Sequence, residues 1–302
     1  QGEMVATVKT AETSPEELAE LMVGRRVLLR VEKGLARPRE TLLEVQDLVV
    51  TGDLGVTRVK GVSFSVRAGE IVGIAGVSGN GQSELLEAIT GMREHRSGTV
   101  RLKGQALSLH GDDGASRARA AGLAHVPEDR QRMGLVTSFK AWENAILGYQ
   151  NSSEYGPGPV LDINAARAQA AERMKMFDVR PANIELKTSL FSGGNQQKIV
   201  LAREMERDPD VLVIGQPTRG VDIGAIEFIH NEIIKMRDEG KAILLVSVEL
   251  DEIRSLADRI LVMFDGTIVG EVDAATATEN QLGLMMAGIA APAAAAAPET
   301  SA

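Results

Sequence analysis

An α/β fold with a buried parallel sheet is the architecture that the sequence predicts. Two apolar runs, Val211 to Ile214 and Ala242 to Val246, are continuous rather than alternating, which is typical of parallel strands covered on both faces. Helical patterns over Ile223 to Arg237 and Glu249 to Ala257 alternate with these strands. A further strand, Ile71 to Ala75, runs directly into a glycine-rich loop and a helix. This alternation predicts a sheet flanked by helices, with the loop at the carboxyl end of one strand.

A second β layer and a helical insertion are also predicted. The layer is expected to flank the glycine-rich loop and to contain Leu42 to Val50, Val62 to Val66, Glu70 to Ala75 and Thr99 to Lys103. From about Arg130 to Arg207 the pattern is mainly helical, with Asn164 to Phe177 as its clearest helix. We therefore expect one domain over residues 42–288, with a helical subdomain over about 130–207.

Composition narrows the class of protein. The 302 residues are 44% apolar and 25% charged, with no apolar run near the roughly 18 residues that a membrane span needs, so a soluble globular chain is expected. The absence of cysteine excludes disulfides and thiolate metal sites, which suits the cytoplasm. A net charge of -9 and 3% aromatic residues argue against a nucleic-acid partner.

The two ends of the chain resemble each other. Gly2 to Gly24 aligns without gaps on Gly266 to Gly288, and the identical residues are Gly2, Val5, Val8, Ala11, Leu18, Met22 and Gly24. We therefore expect residues 1–24 to be the tail of a preceding copy of the same domain, in the second half of a tandem protein. Residues 25–41 are then a linker, and the Ala/Pro-rich residues 289–302 a disordered tail.

The glycine-rich segment from Gly76 to Ser83 has the spacing of a phosphate-binding loop, G-x-x-x-x-G-K-[ST], except that the lysine is missing. Backbone N–H groups of such a loop point at phosphate oxygens, and the following helix N-terminus adds partial positive charge. Its candidate nucleotide-binding residues are Gly76, Ser78, Gly79, Asn80, Gly81, Gln82 and Ser83. Because Gln82 replaces the lysine, the loop keeps its shape but lacks the cation that contacts the β- and γ-phosphates.

A second helix N-terminus suited to an anion lies in the helical insertion. Ser192 is a good N-cap residue, and Gly193 and Gly194 after it let the backbone approach a ligand closely. Asn195 and Gln196 complete the sequence Ser-Gly-Gly-Asn-Gln. Two such helix ends in one chain favour a protein that handles phosphate groups at two places.

Together these motifs resemble the ATP-binding cassette (ABC) transporter ATPases over essentially all of Leu42 to Gly288. The resemblance is carried by the phosphate-binding loop, by Ser192 to Gln196, and by Pro217 to Asp222 after an apolar strand. It is closest to tandem ATPases of simple-sugar and nucleoside importers, which share Val126 to Arg130 and Gln216 to Gly220. It implies a P-loop NTPase core with an ABC helical subdomain.

In that family two cassettes dock head to tail, and each ATP lies between the phosphate-binding loop of one and the signature segment of the other. The resemblance makes Ser192, Gly193, Gly194 and Asn195 the signature segment, acting on the partner's ATP. Asp222 belongs to the loop that crosses the cassette interface. All five match the family pattern, so they are the expected catalytic contribution of this chain.

Other positions depart from the family pattern. Gln82 replaces the lysine, Gly215 the aspartate that holds the Mg²⁺ shell, Gln216 the glutamate that orients the attacking water, and Val248 the switch histidine. Glu128 takes the place of a glutamine that senses Mg²⁺, so Ser83 and Glu128 are weak candidate Mg²⁺ ligands. We expect this chain to bind ATP and Mg²⁺ weakly or not at all at its own loop, and to hydrolyse ATP poorly in isolation. The alternative is that Glu128 or Asp222 serves as the base.

The predicted function is therefore that of the second cassette of an importer of nucleosides or simple sugars, on the inner face of the cell membrane. The resemblance implies permease subunits and the preceding cassette as partners, and a solute-binding protein as an indirect one. Two rival functions are a non-hydrolytic scaffold or regulatory module and an ABC ATPase outside transport.

Overall fold

Two β-sheets and a set of helices make up the computed structural model of the chain, which describes residues 4–14, 17–18, 20–21, 33–156 and 160–289. The strands in this part are β1 (Thr41–Thr51), β2 (Thr57–Arg67), β3 (Glu70–Ala75), β4 (Ser97–Leu102), β5 (Gln105–Ala106), β6 (Leu123–Val126), β7 (Val211–Gly215), β8 (Ala242–Val246), β9 (Arg259–Phe264) and β10 (Thr267–Asp273).

The larger sheet has the strand order β10-β9-β3-β8-β7-β6. Strands β9, β3, β8, β7 and β6 are parallel, and β10 is antiparallel to β9. Every residue of β3, β7 and β8 is buried, as the continuous apolar runs predict. The smaller sheet, β2-β1-β4-β5, is antiparallel throughout. The predicted fold class, a parallel sheet with a flanking antiparallel β layer, is confirmed.

One strand assignment is wrong. Glu70 to Ala75 was expected in the flanking layer, but as β3 it lies inside the larger sheet, hydrogen-bonded to β8 and β9. The side chains of β3 alternate between the two faces of the larger sheet, which suits a strand inside that sheet. Ile71 packs on one side of the sheet, whereas Val72 and Ile74 pack on the other, so both faces of the strand are covered by apolar side chains.

From residue 33 onward the described helices are α1 (Gln82–Ile89), α2 (Gly114–Ala120), α3 (Ala141–Ala145), α4 (Ile163–Met176), α5 (Gly193–Met205), α6 (Ile223–Asp238), α7 (Leu250–Leu256) and α8 (Glu279–Met286). Short 3₁₀ turns cover Thr10–Glu12, Ser153–Tyr155 and Thr188–Leu190, and a π-helical turn covers Arg130–Gly134.

Side-chain caps fix where several helices begin. Asp162, Ser192, Asp222 and Thr278 directly precede α4, α5, α6 and α8, and each accepts a hydrogen bond from a backbone N–H in the first turn. Such a bond satisfies one of the N–H groups that a helix start leaves without a partner, and it typically contributes about 1 kcal/mol. The chain therefore enters α5 and α6 at the residues that the sequence marked.

The core lies on both faces of the larger sheet. One apolar cluster joins it to α5, α6 and α7, and the other joins it to α1 and the smaller sheet. A third cluster, within the helical segment, packs Trp142 against Tyr155 and α4. Trp142 is only 8% exposed, so its ring is part of this cluster.

Some sequence predictions fall on residues outside the described ranges. These are part of the predicted tail over 1–24, residues 25–32 of the linker over 25–41, and residues 290–302 of the tail over 289–302. The division at about 130 and 207 also stays a prediction. Among the described residues, no helix combines the length and apolar character needed to cross a membrane.

His125 in β6 is a source of acid sensitivity. Burial lowers the pKa of its imidazole from 6.5 to about 4; the negative charge of Glu204 opposes this shift, and Arg119 and Arg203 add to it. Because the folded chain holds the neutral ring, the stability from His125 is complete above pH 6.5 and is lost as the pH falls towards 4.

We predict that His125→Gln reduces the acid-induced loss of stability. Between pH 7 and pH 4.5 the variant should lose about 2 kcal/mol less unfolding free energy than the original chain, because it has no ring to protonate on unfolding. Urea denaturation at both pH values measures this. The control is His110→Gln, which alters an exposed ring; an equal benefit from both variants would contradict the prediction.

Candidate functional site

The phosphate-binding loop, residues 76–83, connects β3 to α1. Gly79 and Gly81 have φ values of 92° and 100°, in the left-handed region that favours glycine. Gly81 is also crowded, since a Cβ there would lie 2.3 Å from the carbonyl oxygen of Arg58. The loop conformation therefore depends on glycine at position 81.

Gln82 folds back into the loop. Its Nε2 donates a hydrogen bond to the carbonyl oxygen of Val77 at 3.1 Å, and the side chain is 5% exposed. A Cβ on Gly76 would lie 2.2 Å from this Nε2, so glycine at position 76 makes room for the amide. The side chain that replaces the lysine thus satisfies a loop carbonyl and brings no positive charge.

Asn80 attaches the loop to the turn between β9 and β10. Its Oδ1 accepts a hydrogen bond from the backbone N–H of Asp265 at 3.1 Å, and its carbonyl oxygen accepts one from Gly266 at 3.0 Å. Both partners lie about 185 residues further along the chain. The loop is therefore positioned by the β9–β10 turn as well as by β3.

Ser83 and Glu128, the candidate Mg²⁺ ligands, are in contact. The Ser83 hydroxyl donates a hydrogen bond to Oε2 of Glu128. Burial raises the pKa of the Glu128 carboxyl, the hydrogen bond from Ser83 and the charge of Arg219 oppose the shift, and the charges of Glu87 and Glu84 add to it. The pair places two hard oxygen donors, the kind that Mg²⁺ prefers, beside the phosphate-binding loop.

The other replaced positions meet at the ends of β7 and β8. Gly215 is the last residue of β7 and pairs with Val246 of β8. Gln216 follows with a φ of 47°, and its Oε1 accepts a hydrogen bond from the backbone N–H of Val248 at 3.4 Å. Gln216 therefore connects the position of the water-orienting glutamate to that of the switch histidine.

The signature segment, Ser192 to Asn195, is held by local hydrogen bonds. Asn195 donates to the Ser192 hydroxyl through Nδ2 at 2.9 Å, and its Oδ1 accepts from the backbone N–H of Arg180 at 2.6 Å. Ser192 itself is exposed at the start of α5. Its hydroxyl is thus fixed at the surface by the helix that it caps.

Asp222 lies against the signature segment. One carboxylate oxygen accepts a hydrogen bond from Ala225 and caps α6, and the other would lie 3.2 Å from a Cβ on Gly194. The interface loop, Pro217 to Asp222, therefore packs directly on the start of α5. The structure brings together all five residues that the resemblance made catalytic.

Arg130 also contacts this group, although sequence reasoning gave it no role. Its Nη1 donates to the carbonyl oxygen of Arg219 at 2.8 Å, and its Nη2 would lie 2.5 Å from a Cβ on Gly193. The signal was its place in the Val-Pro-Glu-Asp-Arg segment, two residues after Glu128. Arg130 braces the interface loop against the signature segment.

The predicted site residues form two groups. Loop residues 76–83 lie with Glu128, Gly215, Gln216 and Val248 around the carboxyl ends of the parallel strands. The signature segment lies with Asp222 and Arg130 at the starts of α5 and α6. Among the described residues, no cluster of three or more His, Cys, Asp or Glu side chains could hold a metal ion by itself.

Comparison with known families and curated proteins agrees with this geometry. Residues 59–219 match the family described as ABC transporter. The chain is 46% identical over 291 residues to the nucleoside import ATP-binding protein NupA of Lactococcus lactis subsp. cremoris, covering 95% of this chain and 56% of that protein. It is 43% identical to the guanosine import ATP-binding protein NupO of Bacillus subtilis, with 95% and 56% covered.

A third relative is the glucose import ATP-binding protein TsgD13 of Haloferax volcanii, 42% identical, with 95% of this chain and 52% of that protein covered. The chain spans about half the length of the curated relatives it matches. A dimeric ATP-binding cassette bound to ADP and Pi matches its fold with a TM-score of 0.67 at 24% identity, covering 77% of this chain and 99% of the other.

We predict that Gln82→Lys tightens ATP binding without producing an efficient hydrolase. A charge-assisted contact should replace a neutral one, so affinity should rise roughly tenfold. Hydrolysis should stay slow because Gly215, Gln216 and Val248 are unchanged. Isothermal titration and a phosphate-release assay measure the two effects. The control Gln46→Lys adds the same charge at an exposed residue of β1; equal affinities of the two variants would refute the prediction.

Proposed function

Since the chain belongs to the ABC transporter ATPase family, we propose that it is the second cassette of an importer, and that its signature segment completes the ATP site of a partner cassette. The observation that carries the proposal is the contrast between its two groups of site residues. The signature group keeps every residue of the family pattern, whereas the loop group lacks the lysine, the aspartate, the glutamate and the histidine.

The exposure of residues in the signature group supports contact between this group and a partner cassette. Ser192, Arg219, Gly220 and Asp222 are all exposed, although the residues beneath them in α5 are buried. The N-terminus of α5 presents backbone N–H groups and partial positive charge at this surface. A phosphate held by another cassette would meet a prepared anion site here.

The residues of the loop group are better suited to binding ATP than to hydrolysing it. Backbone N–H groups of residues 76–83 and the start of α1 would hold phosphate oxygens, with Ser83 and Glu128 towards Mg²⁺. Bound ATP with Mg²⁺ supplies the phosphoryl group that is transferred to water. At this loop the chain offers no lysine, and Gln216 places a neutral amide where a carboxylate would activate that water. Its own site would therefore retain nucleotide weakly and turn it over poorly.

The wider assembly follows from the family and the relatives. Relatives named for import of nucleosides, guanosine and glucose favour nucleosides or simple sugars as the cargo. Permease subunits would hold the cassettes at the inner face of the membrane, and a solute-binding protein would deliver the cargo to them. The match between residues 2–24 and 266–288 favours a preceding cassette on the same chain as the partner.

The test is Ser192→Asp in the complete transporter. Aspartate is also a good N-cap, so the stability of α5 should be kept. It places a negative charge against the partner's phosphate, and ATP turnover should fall by roughly 100-fold or more. Turnover and the melting temperature are measured on the same sample.

The control is Ser189→Asp, which makes the same change at an exposed serine three residues upstream. It should leave turnover within about twofold of the original, since a surface charge away from a site has little effect. Equal turnover in the two aspartate variants would refute the trans role of the signature segment. If neither variant transporter also moved any cargo, equal turnover would favour the scaffold alternative.

A further inference from the structure

A buried carboxyl group lies beneath the interface loop and contacts two other elements. Oε1 of Glu252, in α7, accepts a hydrogen bond from the Thr218 hydroxyl at 2.7 Å and lies 2.9 Å from Nε2 of His230 in α6. Glu252 and His230 are each only 6% exposed. Thr218 is the second residue of the interface loop. One oxygen atom therefore joins this loop to both α6 and α7.

Packing alone does not account for the carboxyl group of Glu252. Its second oxygen, Oε2, is buried and has no hydrogen-bond partner in the described part of the chain. A buried acceptor without a partner is costly, and native structures seldom keep one without a reason. An apolar side chain at position 252 would avoid this cost. The contacts with Thr218 and His230 are what such a side chain would lose.

Helix α7 gives Glu252 a fixed position on the larger sheet. A Cβ on Gly73, in β3, would lie 2.8 Å from Cγ2 of Ile253 and 2.9 Å from Cβ of Ala257. The absence of a side chain at Gly73 therefore lets α7 pack directly on the strand. Ile253 and Ala257 are fully buried, and an interior packed in this way resists displacement of the helix.

The interface loop, by contrast, lies at the surface. Arg219 and Gly220 are exposed, and a turn between the N–H group of Val221 and the carbonyl oxygen of Thr218 sets the local path of the chain. The carbonyl oxygen of Gly220 would lie 3.0 Å from a Cβ on Gly193, so the loop packs closely on the signature segment. A small displacement of the loop would change this contact. The hydroxyl of Thr218 anchors the loop against such a displacement.

We propose that Glu252 and His230 form a positioning pair, which holds the Thr218 hydroxyl and thereby the interface loop in the place that turnover at the partner's ATP requires. Both residues are buried, so they act through Thr218 and not by contact with ATP. His230 fixes the carboxyl group from α6, and α7 fixes it to the sheet. This inference rests on the proposed trans role of the signature segment.

The first experiment measures ATP turnover in the complete transporter. Thr218→Val keeps the shape of the side chain but removes the hydroxyl, so kcat should fall by roughly tenfold while the KM for ATP stays within about twofold. Thr218→Ser keeps the hydroxyl and should restore kcat. The control is Thr276→Val, which removes an exposed hydroxyl that donates to the carbonyl oxygen of Asp273 at 3.3 Å and should change neither constant.

The second experiment measures the position of the loop in the 302-residue chain without a partner. The chain has no cysteine, so Arg219→Cys provides a single attachment point for a nitroxide spin label. In this background Thr218→Val and His230→Leu should each increase the mobility of the label in electron paramagnetic resonance spectra. Thr218→Ser and His230→Gln keep a hydrogen-bond donor and should not. The double variant should be no more mobile than either single one, since both act through Glu252.

The proposal is overturned if Thr218→Val leaves the mobility of the label unchanged, if Thr218→Ser increases it equally, or if kcat falls no further than in Thr276→Val. These outcomes are separate from the test of the proposed function. Loss of turnover in Ser192→Asp together with an unaffected Thr218→Val would preserve the trans role and reject the positioning pair. Full turnover in Ser192→Asp together with a mobile loop in Thr218→Val would reject the trans role alone.

Discussion

Five parallel strands of the larger sheet end at one edge, and this common edge is the constraint on which the site depends. Residues distant in sequence follow β3, β6, β7 and β8 at that edge: the phosphate-binding loop, Glu128, Gln216 and Val248. The carboxyl ends of parallel strands are where ligands bind in folds of this kind, because the loops that leave the strands there enclose a crevice. Covering both faces of β3, β7 and β8 with apolar side chains fixes the register, and the register fixes which side chains meet. The apolar core therefore sets the composition of the site.

Negatively charged side chains lie beside the phosphate-binding loop at this edge. Gln82 is neutral and bound to Val77, while the charges of Glu87 and Glu84 lie close enough to add to the raised pKa of the Glu128 carboxyl, which burial mainly causes. Glu87 is compensated by Arg93 at 2.7 Å. What remains attractive to a phosphate is the backbone of the loop and the start of α1. A cation arriving with the nucleotide would offset the carboxylates, which is why binding and metal are expected to be coupled here.

Elements with a characteristic local sequence pattern were predicted correctly. Continuous apolar runs identified β7 and β8, Ser192 marked the start of α5, and the helical pattern from Ile223 marked the start of α6. Strand β6 escaped detection because it has only four residues, and one of them is His125. Glu70 to Ala75 was placed in the wrong sheet because the sequence of a short apolar strand does not indicate which strands it pairs with. The bonds of Asn80 to the β9–β10 turn, and the space that Gly215 leaves for Glu128, join residues 87 to 186 positions apart, and no local pattern encodes them.

The two groups of site residues are joined by one short segment. Glu128 contacts Ser83 beside the phosphate-binding loop, and Arg130 contacts the interface loop at the carbonyl oxygen of Arg219. The residue between them, Asp129, accepts hydrogen bonds from the N–H groups of Gln131 and Arg132 at 3.0 and 3.1 Å. The segment from Glu128 to Arg130 therefore contacts both groups of site residues.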